Sequence, residues 1–143
     1  MVVGFAGHRL SHENIGIKER LKKQIECLIK NGYTTFFDGN KGVFDDLCLD
    51  ILRELKEKYP RIEIIRVLSS YHFISDNELP KNIDSTVFPE LEGVYFKQLI
   101  TKRNEWIVEN SDIIVCHIVN TFRSGAYNMV RYAEKLNKLI IYL

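Results

Sequence analysis

The feature that most constrains the fold of this chain is the alternation of short apolar segments with amphipathic ones. Short runs rich in β-branched and aromatic residues predict buried strands, and the segments between them repeat apolar residues at helical spacing. The predicted strands are 1–6, 33–37, 62–68, 113–119 and 139–143. The predicted helices are 17–29, a second that starts at 44 and is stopped by Tyr59-Pro60, 99–108 and 126–136.

Five strands joined by four helical connections predict an α/β domain. Mostly apolar strands that alternate with amphipathic helices are typical of a parallel sheet covered on both faces, so the expected fold is a doubly wound, mainly parallel five-stranded sheet. The whole chain, 1–143, is interpreted as one domain. The stretch from Ser69 to Gly93 has no periodicity and contains two prolines, and connections of that length usually cover a site or move.

Composition excludes several classes of partner. The formal net charge of +1 gives no overall attraction to nucleic acid or to an anionic membrane, so any anion site must be local. No segment approaches the roughly 20 apolar residues of a membrane span, and the first residues lack the features of a signal peptide. We therefore expect a cytoplasmic protein that contacts no membrane.

The three cysteines, Cys27, Cys48 and Cys116, show neither a paired pattern nor metal-ligand spacing. They are expected to be small core residues in a reducing compartment. His117 has no second ligand at a suitable spacing, so it predicts a core or crevice-lining histidine and no metal site. No cofactor is predicted.

Candidate site residues come from the loops that follow the strands. In an open parallel sheet, ligands bind at the carboxyl ends of the strands where the strand order reverses. Three of the four loops there contain glycine and a basic residue, in "AGHRLSHENIG", "FDGNKGVFDD" and "HIVNTFRSGAYN". The candidates for ligand binding are Gly7, His8, Arg9, Gly39, Gly42, Asp45, Arg103, Asn104, Ser124 and Gly125.

Each of these candidates also has a purely structural interpretation. Gly7, His8 and Arg9 could form a solvated turn, and Asp45 with Asp46 could only complement a helix dipole. Ser124 could be only a helix cap, although the first turn that it caps would also point N–H groups at an anion. Arg103 lies on the packed side of its helix, where it either extends along Trp106 or meets an anion.

Five ordered blocks resemble one known family. They are "GFAGHR", "GYTTFFDGNKGVFDDLC", "ELKEKYPRIEIIRVL", "TKRNEWIVENSDIIV" and "SGAYNMVRYAEKLNKLIIYL". In this order they resemble the YpsA-like family of the SLOG superfamily, which also contains the Lonely-Guy phosphoribohydrolases and the DNA-processing protein DprA. The resemblance covers nearly the whole chain.

The resemblance implies a Rossmann-like domain that binds a phosphate-bearing, nucleotide-derived ligand such as a relative of ADP-ribose or NAD. By motif, its first glycine loop falls on Gly7, His8 and Arg9, and its second on Gly39, Gly42 and Asp45. The Lys-Arg-Asn helix motif falls on Arg103 and Asn104, and the last glycine loop on Ser124 and Gly125. Relatives of this kind commonly pair, so a homodimer or higher homo-oligomer is expected.

Two departures from the family pattern bear on chemistry. Lonely-Guy enzymes have a glutamate soon after the last glycine loop, whereas this chain has Met129 and Val130 there and Glu134 only further along. N-glycosidic cleavage needs a carboxylate near the reacting carbon. Asp38 also precedes Gly39, and a carboxylate would repel a phosphate.

Three functions follow as alternatives. The first is binding or sensing of a nucleotide-derived ligand. The second is hydrolysis of a nucleotide N-glycosidic bond, for which Asp45 is the candidate catalytic residue beside Asp38, Asp46 and Glu105. The third is DprA-like binding of single-stranded DNA, which the interspersed charges disfavour because such sites need a basic stripe with stacking aromatic residues.

Overall fold

The computed structural model describes residues 1–7, 16–69, 81–118 and 124–143. The helices are α1 (Ile17–Lys30), α2 (Val43–Lys58), α3 (Leu99–Glu109), which a short 3₁₀ turn over Phe96–Gln98 precedes, and α4 (Gly125–Lys135). The strands are β1 (Val2–Gly7), β2 (Thr35–Asp38), β3 (Glu63–Val67), β4 (Ser85–Val87), β5 (Ile113–His117) and β6 (Leu139–Tyr142).

The strands form one sheet in the order β4-β3-β2-β1-β5-β6, and every neighbouring pair is parallel. The sheet therefore has six strands, and the prediction of five is wrong. The additional strand, β4, lies inside the stretch that showed no periodicity. It has only three residues, pairs with β3 through Ile65↔Ser85 and Val67↔Val87, and has no fully buried residue. A strand so short at the edge of a sheet leaves no apolar alternation in the sequence.

Helices cover both faces of the sheet, as predicted. On one face, α1 and α2 pack on Val3 and Phe5 of β1, Phe36 of β2 and Ile113 and Val115 of β5. On the other face, α3 and α4 pack on the alternate residues of the same strands, including Ala6, Phe37, Ile114 and Cys116. Successive strand residues point to opposite faces, so an apolar residue at nearly every strand position produces two cores.

Two local predictions have different outcomes. The predicted stop of the first helix at Asn31-Gly32 is confirmed, because Asn31 caps α1 and its N–H bonds Cys27 O at 3.1 Å. The prediction that all three cysteines are core residues is wrong for Cys27, which is exposed, whereas Cys48 and Cys116 are buried. Cys27 lies on the polar side of α1, between the buried residues Ile25 and Leu28.

The strand order creates a crevice beside β1. From β1 the chain proceeds outward through β2, β3 and β4, and then returns to place β5 on the other side of β1. The switch point therefore lies between the carboxyl ends of β1 and β5, where a doubly wound sheet binds its ligand. Within the described parts of the chain, no helix is long and apolar enough to span a membrane.

Candidate functional site

A cavity of about 250 Å³ lies at the carboxyl ends of the central strands. Its walls come from the end of β1, the loop between β2 and α2 with the first turn of α2, one side of α3, and the start of α4. The lining residues are Phe5, Ala6, Gly7, Gly39, Lys41, Asp45, Ile100, Arg103, Asn104, Ile107, Gly125, Ala126 and Met129. Six predicted site residues thus lie around one cavity: Gly7, Gly39, Asp45, Arg103, Asn104 and Gly125.

Arg103 forms the charged wall of this cavity, although only 3% of it is exposed. Its Nη1 donates to the carbonyl oxygens of Gly39 and Val67, the latter at 3.3 Å, and so ties α3 to the ends of β2 and β3. Its Nε and Nη2 both donate to Asn104 Oδ1, at 3.2 and 3.0 Å. Among the described residues, all its acceptors are neutral and no carboxylate lies within ion-pairing distance.

Burial without an ion pair has consequences for Arg103. Desolvation lowers the pKa of the guanidinium from its ordinary value, although an arginine at neutral pH remains charged. A guanidinium has five N–H groups, and the four contacts above leave one on Nη2 without an acceptor in the described parts of the chain. A buried cation that lacks a counter-ion favours an anionic ligand.

Asn104 is oriented by Arg103. Because a guanidinium only donates hydrogen bonds, the atom that faces it must be the amide oxygen, and the NH₂ group must face away. Asn104 Nδ2 lies 3.8 Å from where a Cβ on Gly125 would stand. The amide therefore presents its donors toward the start of α4.

Asp45 is the carboxyl group of the cavity. It lies in the first turn of α2, and its Oδ2 accepts a hydrogen bond of 2.9 Å from the Lys41 N–H. Desolvation raises the pKa of Asp45 to about 7, while that hydrogen bond and the charge of Arg103 act in the opposite direction. At neutral pH the group is therefore divided between a neutral acid and an anion.

Asp38 has its charge compensated, contrary to the expectation that it would disturb a bound phosphate. Its Oδ2 accepts hydrogen bonds from Arg66 Nε and Nη2, both at 2.8 Å, and its Oδ1 accepts from the Asn40 N–H at 3.1 Å. Both side chains of the pair are buried. The pair joins β2 to β3 and removes the net negative charge that would oppose an anion.

Two glycines are required by close contacts. A Cβ on Gly39 would stand 2.9 Å from Asp45 Oδ2 and 3.4 Å from Arg103 Nη1, so a side chain there would occupy the space between the charged groups. A Cβ on Gly7 would overlap the ring of Phe44, which stacks on His117 at 6.2 Å between ring centroids. The Phe44 ring therefore packs in the space that a side chain at position 7 would occupy, and this packing requires a glycine at the end of β1.

The amino terminus of α4 borders the same cavity. Ser124 Oγ accepts a hydrogen bond of 3.1 Å from the Tyr127 N–H, which confirms the predicted cap. Gly125 and Ala126, the first residues of α4, line the cavity and bring the positive end of the helix dipole to it. Glu134 lies elsewhere, where it accepts a hydrogen bond from Tyr142 Oη.

The other predicted residues have different positions. Gly42 is the residue before α2, is exposed, has φ of 92° and does not line the cavity. His8 and Arg9 lie outside the described residues. In the described parts of the chain no group of His, Cys, Asp and Glu side chains could hold a metal ion.

A smaller cleft of about 150 Å³ lies beyond Gly39 and Lys41. It is lined by Arg66 and Ser69, and it also reaches Arg103, so the guanidinium borders two spaces. Sequence reasoning did not select Arg66 or Lys41. The only signal for Arg66 is a cation between apolar residues in a strand that also contains Glu63, opposite a strand that ends in Asp38.

Comparisons with known proteins support the fold. No family model matches the chain, and no curated protein matches it. Two solved structures of the Moco carrier protein from Chlamydomonas reinhardtii are similar, at 15% and 16% identity with TM-scores of 0.57 and 0.52. Each match covers 99% of this chain, and 74% and 75% of the other.

The chain has a Rossmann-like α/β fold. At so low an identity the two structures show the fold alone, and membership of the YpsA-like family stays a prediction because no family model supports it. The functional conclusion must therefore come from the residues of the site.

Proposed function

We propose that this protein binds a phosphate-bearing, nucleotide-derived small molecule in the cavity between β1, α3 and α4. The observation that carries the proposal is the buried Arg103, which has no ion-pair partner among the described residues and retains an N–H group for a ligand. The start of α4 and the Asn104 amide add donors on the same cavity. An anion fits this set better than a neutral molecule does.

The fold is consistent with a binding function. The similar structures are named as carriers of Moco, the molybdenum cofactor, which is a small molecule. That name supports ligand binding in general for this chain and does not select the ligand. Nucleotides are the ligand class that the resemblance implies.

A direct test is calorimetric titration with ADP-ribose, NAD and the four ribonucleoside 5′-monophosphates. At least one of them should bind, and Arg103→Gln should weaken it by about tenfold or more, because a hydrogen bond to a charged group contributes about 1.5–3 kcal/mol. Lys102→Gln is the matched control, since it removes a neighbouring exposed cation from the same helix. Thermal unfolding of both variants checks that they remain folded.

Two results would contradict the proposal. One is the absence of binding with every compound in the set. The other is an equal loss of affinity in the Arg103 and Lys102 variants, since a general electrostatic effect would then replace a specific contact.

A second candidate function is hydrolysis of a nucleotide N-glycosidic bond, and Asp45 favours it. A carboxyl group whose pKa is about 7 can exchange a proton at neutral pH, as a general acid or base must. Release of free base from a nucleoside monophosphate, abolished in Asp45→Asn but retained in Asp46→Asn, would support it. Binding of a nucleoside monophosphate without release of free base would contradict hydrolysis and leave ligand binding as the proposed function.

A further inference from the structure

A groove of about 570 Å³ lies between α3 and α4, on the outer side of the cavity. Asn104, Gly125 and Met129 line both spaces. The groove then continues along the two helices past Asn128 and Tyr132 to Lys135. The cavity and the groove are therefore neighbouring parts of one depression that meet at the first turn of α4.

The two volumes suit different parts of a ligand. Sites for drug-sized molecules usually span roughly 300–1,000 Å³, so the cavity is too small for a whole nucleotide and the groove is not. The linings differ as well. The cavity wall contains the buried Arg103 beside Asp45. The groove has apolar surface from Met129 and the Tyr132 ring beside the Asn128 amide. Its charged side chains are Glu105, Arg131 and Lys135, of which Arg131 and Lys135 are exposed to solvent.

Tyr132 is a fixed aromatic surface in the groove. Its Oη donates a hydrogen bond of 2.6 Å to Glu109 Oε1, which ties α4 to α3 and holds the ring in place. The side chain is partly exposed, and it packs on the core formed by α3 and α4. A flat ring of a ligand that stacks on an ordered aromatic side chain loses little freedom of either partner.

We infer that the ligand has two parts, a phosphate held in the cavity by Arg103 and a planar, hydrogen-bonding ring that lies in the groove against Tyr132. This inference rests on the proposed function and specifies its ligand class as a ring joined to a phosphate by a short linker. Asn104 lies at the junction. Its NH₂ group, which Arg103 turns toward Gly125, donates to the linker or to the ring. Asn128, which is exposed in the groove, can pair with the edge of the ring.

The test compares a nucleotide with the same phosphate and sugar lacking the ring. Dissociation constants are measured for ribose 5-phosphate and for the tightest of the four ribonucleoside 5′-monophosphates. Stacking of a base on an aromatic side chain changes affinity by about 5- to 140-fold. The full chain should therefore prefer the nucleotide by about tenfold or more, and Tyr132→Ala should remove most of that preference while leaving the affinity for ribose 5-phosphate unchanged.

Two further variants separate stacking from damage to the fold, and a third tests the contact with the edge of the ring. Tyr132→Phe retains the ring and should keep the preference, although it loses the hydrogen bond to Glu109. Tyr142→Ala removes an exposed tyrosine of β6, which hydrogen-bonds Glu134, and should also keep it. Asn128→Ala should reduce the preference without lowering the affinity for ribose 5-phosphate.

The outcomes are distinguishable. Equal affinity of the unmodified chain for both compounds would overturn this inference and leave the proposed function standing. Absence of binding with both would overturn the proposed function and this inference together. If Tyr132→Ala changed the sedimenting mass but not the preference, the groove would be an interface between copies of the chain, and the inference would be wrong.

Discussion

At the scale of single residues, the site combines a buried arginine, Arg103, with a partly buried aspartate, Asp45, and the two side chains are close but form no ion pair. A Cβ on Gly39 would lie 2.9 Å from Asp45 Oδ2 and 3.4 Å from Arg103 Nη1, so the glycine leaves the space between them open. Burial removes water from the charged form of each group, which raises the pKa of Asp45 and lowers that of Arg103. Ionisable groups whose pKa values are shifted by burial are typical of functional sites.

Asp45 makes stability depend on pH. Burial raises the pKa of Asp45 from 3.8, the ordinary value for an aspartate, to about 7, so between these pH values the folded chain binds more protons at this group than the unfolded chain does. The free energy of unfolding therefore falls as pH rises from about 4 to about 7 and levels off above that. We expect Asp45→Asn to be more stable than the unmodified chain at pH 8, by about 1–3 kcal/mol, and to lose this advantage toward pH 4.

Urea unfolding at pH 4.5, 6, 7 and 8 measures this effect. Asp46→Asn is the control, because it removes an exposed carboxylate from the same turn of α2. An advantage of Asp45→Asn that did not grow with pH, or one that Asp46→Asn matched, would show that burial of the Asp45 charge is not its cause.

At the scale of elements, the buried Asp38–Arg66 pair joins β2 to β3 beside the site. Removal of one partner leaves the other charge buried and unpaired, which typically costs about 3–5 kcal/mol. We expect Asp38→Ala to cost that much, and the double variant Asp38→Leu with Arg66→Met to recover a large part of it. Urea unfolding in a double-mutant cycle gives the coupling.

An exposed ion pair on the same protein provides the comparison. Lys22 and Glu54 lie 2.6 Å apart and link α1 to α2 at the surface. Breaking that pair should cost less than about 1 kcal/mol. Similar costs for the two pairs would contradict the view that Asp38–Arg66 is a buried and structurally required contact.

The long, periodic elements could be predicted from the sequence, and the short or tertiary features could not. The helices α1, α2, α3 and α4 and the strands β1, β2, β3, β5 and β6 carry enough apolar residues to show their period. The strand β4 has three residues, and β3 alone gives it a place in the sheet. The prediction that Cys27 is a core residue is wrong because its apolar neighbours in the sequence do not fix its side of the helix. Ile25 and Leu28 form the buried face of α1, and Cys27 lies just outside that face.

The sequence predicts which loops form the site, but it does not predict which side chains in those loops contact one another. The rule on strand ends selected Gly39, Asp45 and Gly125, because it depends only on where each strand stops. It could not show that Arg66 neutralises Asp38, since the register of β2 and β3 decides that. Nor could it show the groove along Tyr132, which exists only because α3 and α4 pack side by side.

At the scale of the whole molecule, the two faces of the sheet have different roles. Among the described residues, sixteen buried side chains form the core on the face covered by α1 and α2, whereas ten form the core on the face covered by α3 and α4, which borders the cavity and the groove. The expected homo-oligomer stays a prediction. Among the described residues, the exposed large apolar side chains include Tyr95 and Phe96 before α3 and Leu139 and Tyr142 of β6, and none of these four lines the groove.

The most direct measurement is a crystal structure of the chain with the ribonucleoside 5′-monophosphate that binds most tightly. We expect the phosphate in the cavity, with one oxygen within hydrogen-bonding distance of Arg103 Nη2 and another near the first N–H groups of α4. A nucleotide bound anywhere else, or a phosphate that leaves Arg103 without an anionic partner, would show that Arg103 does not hold the ligand.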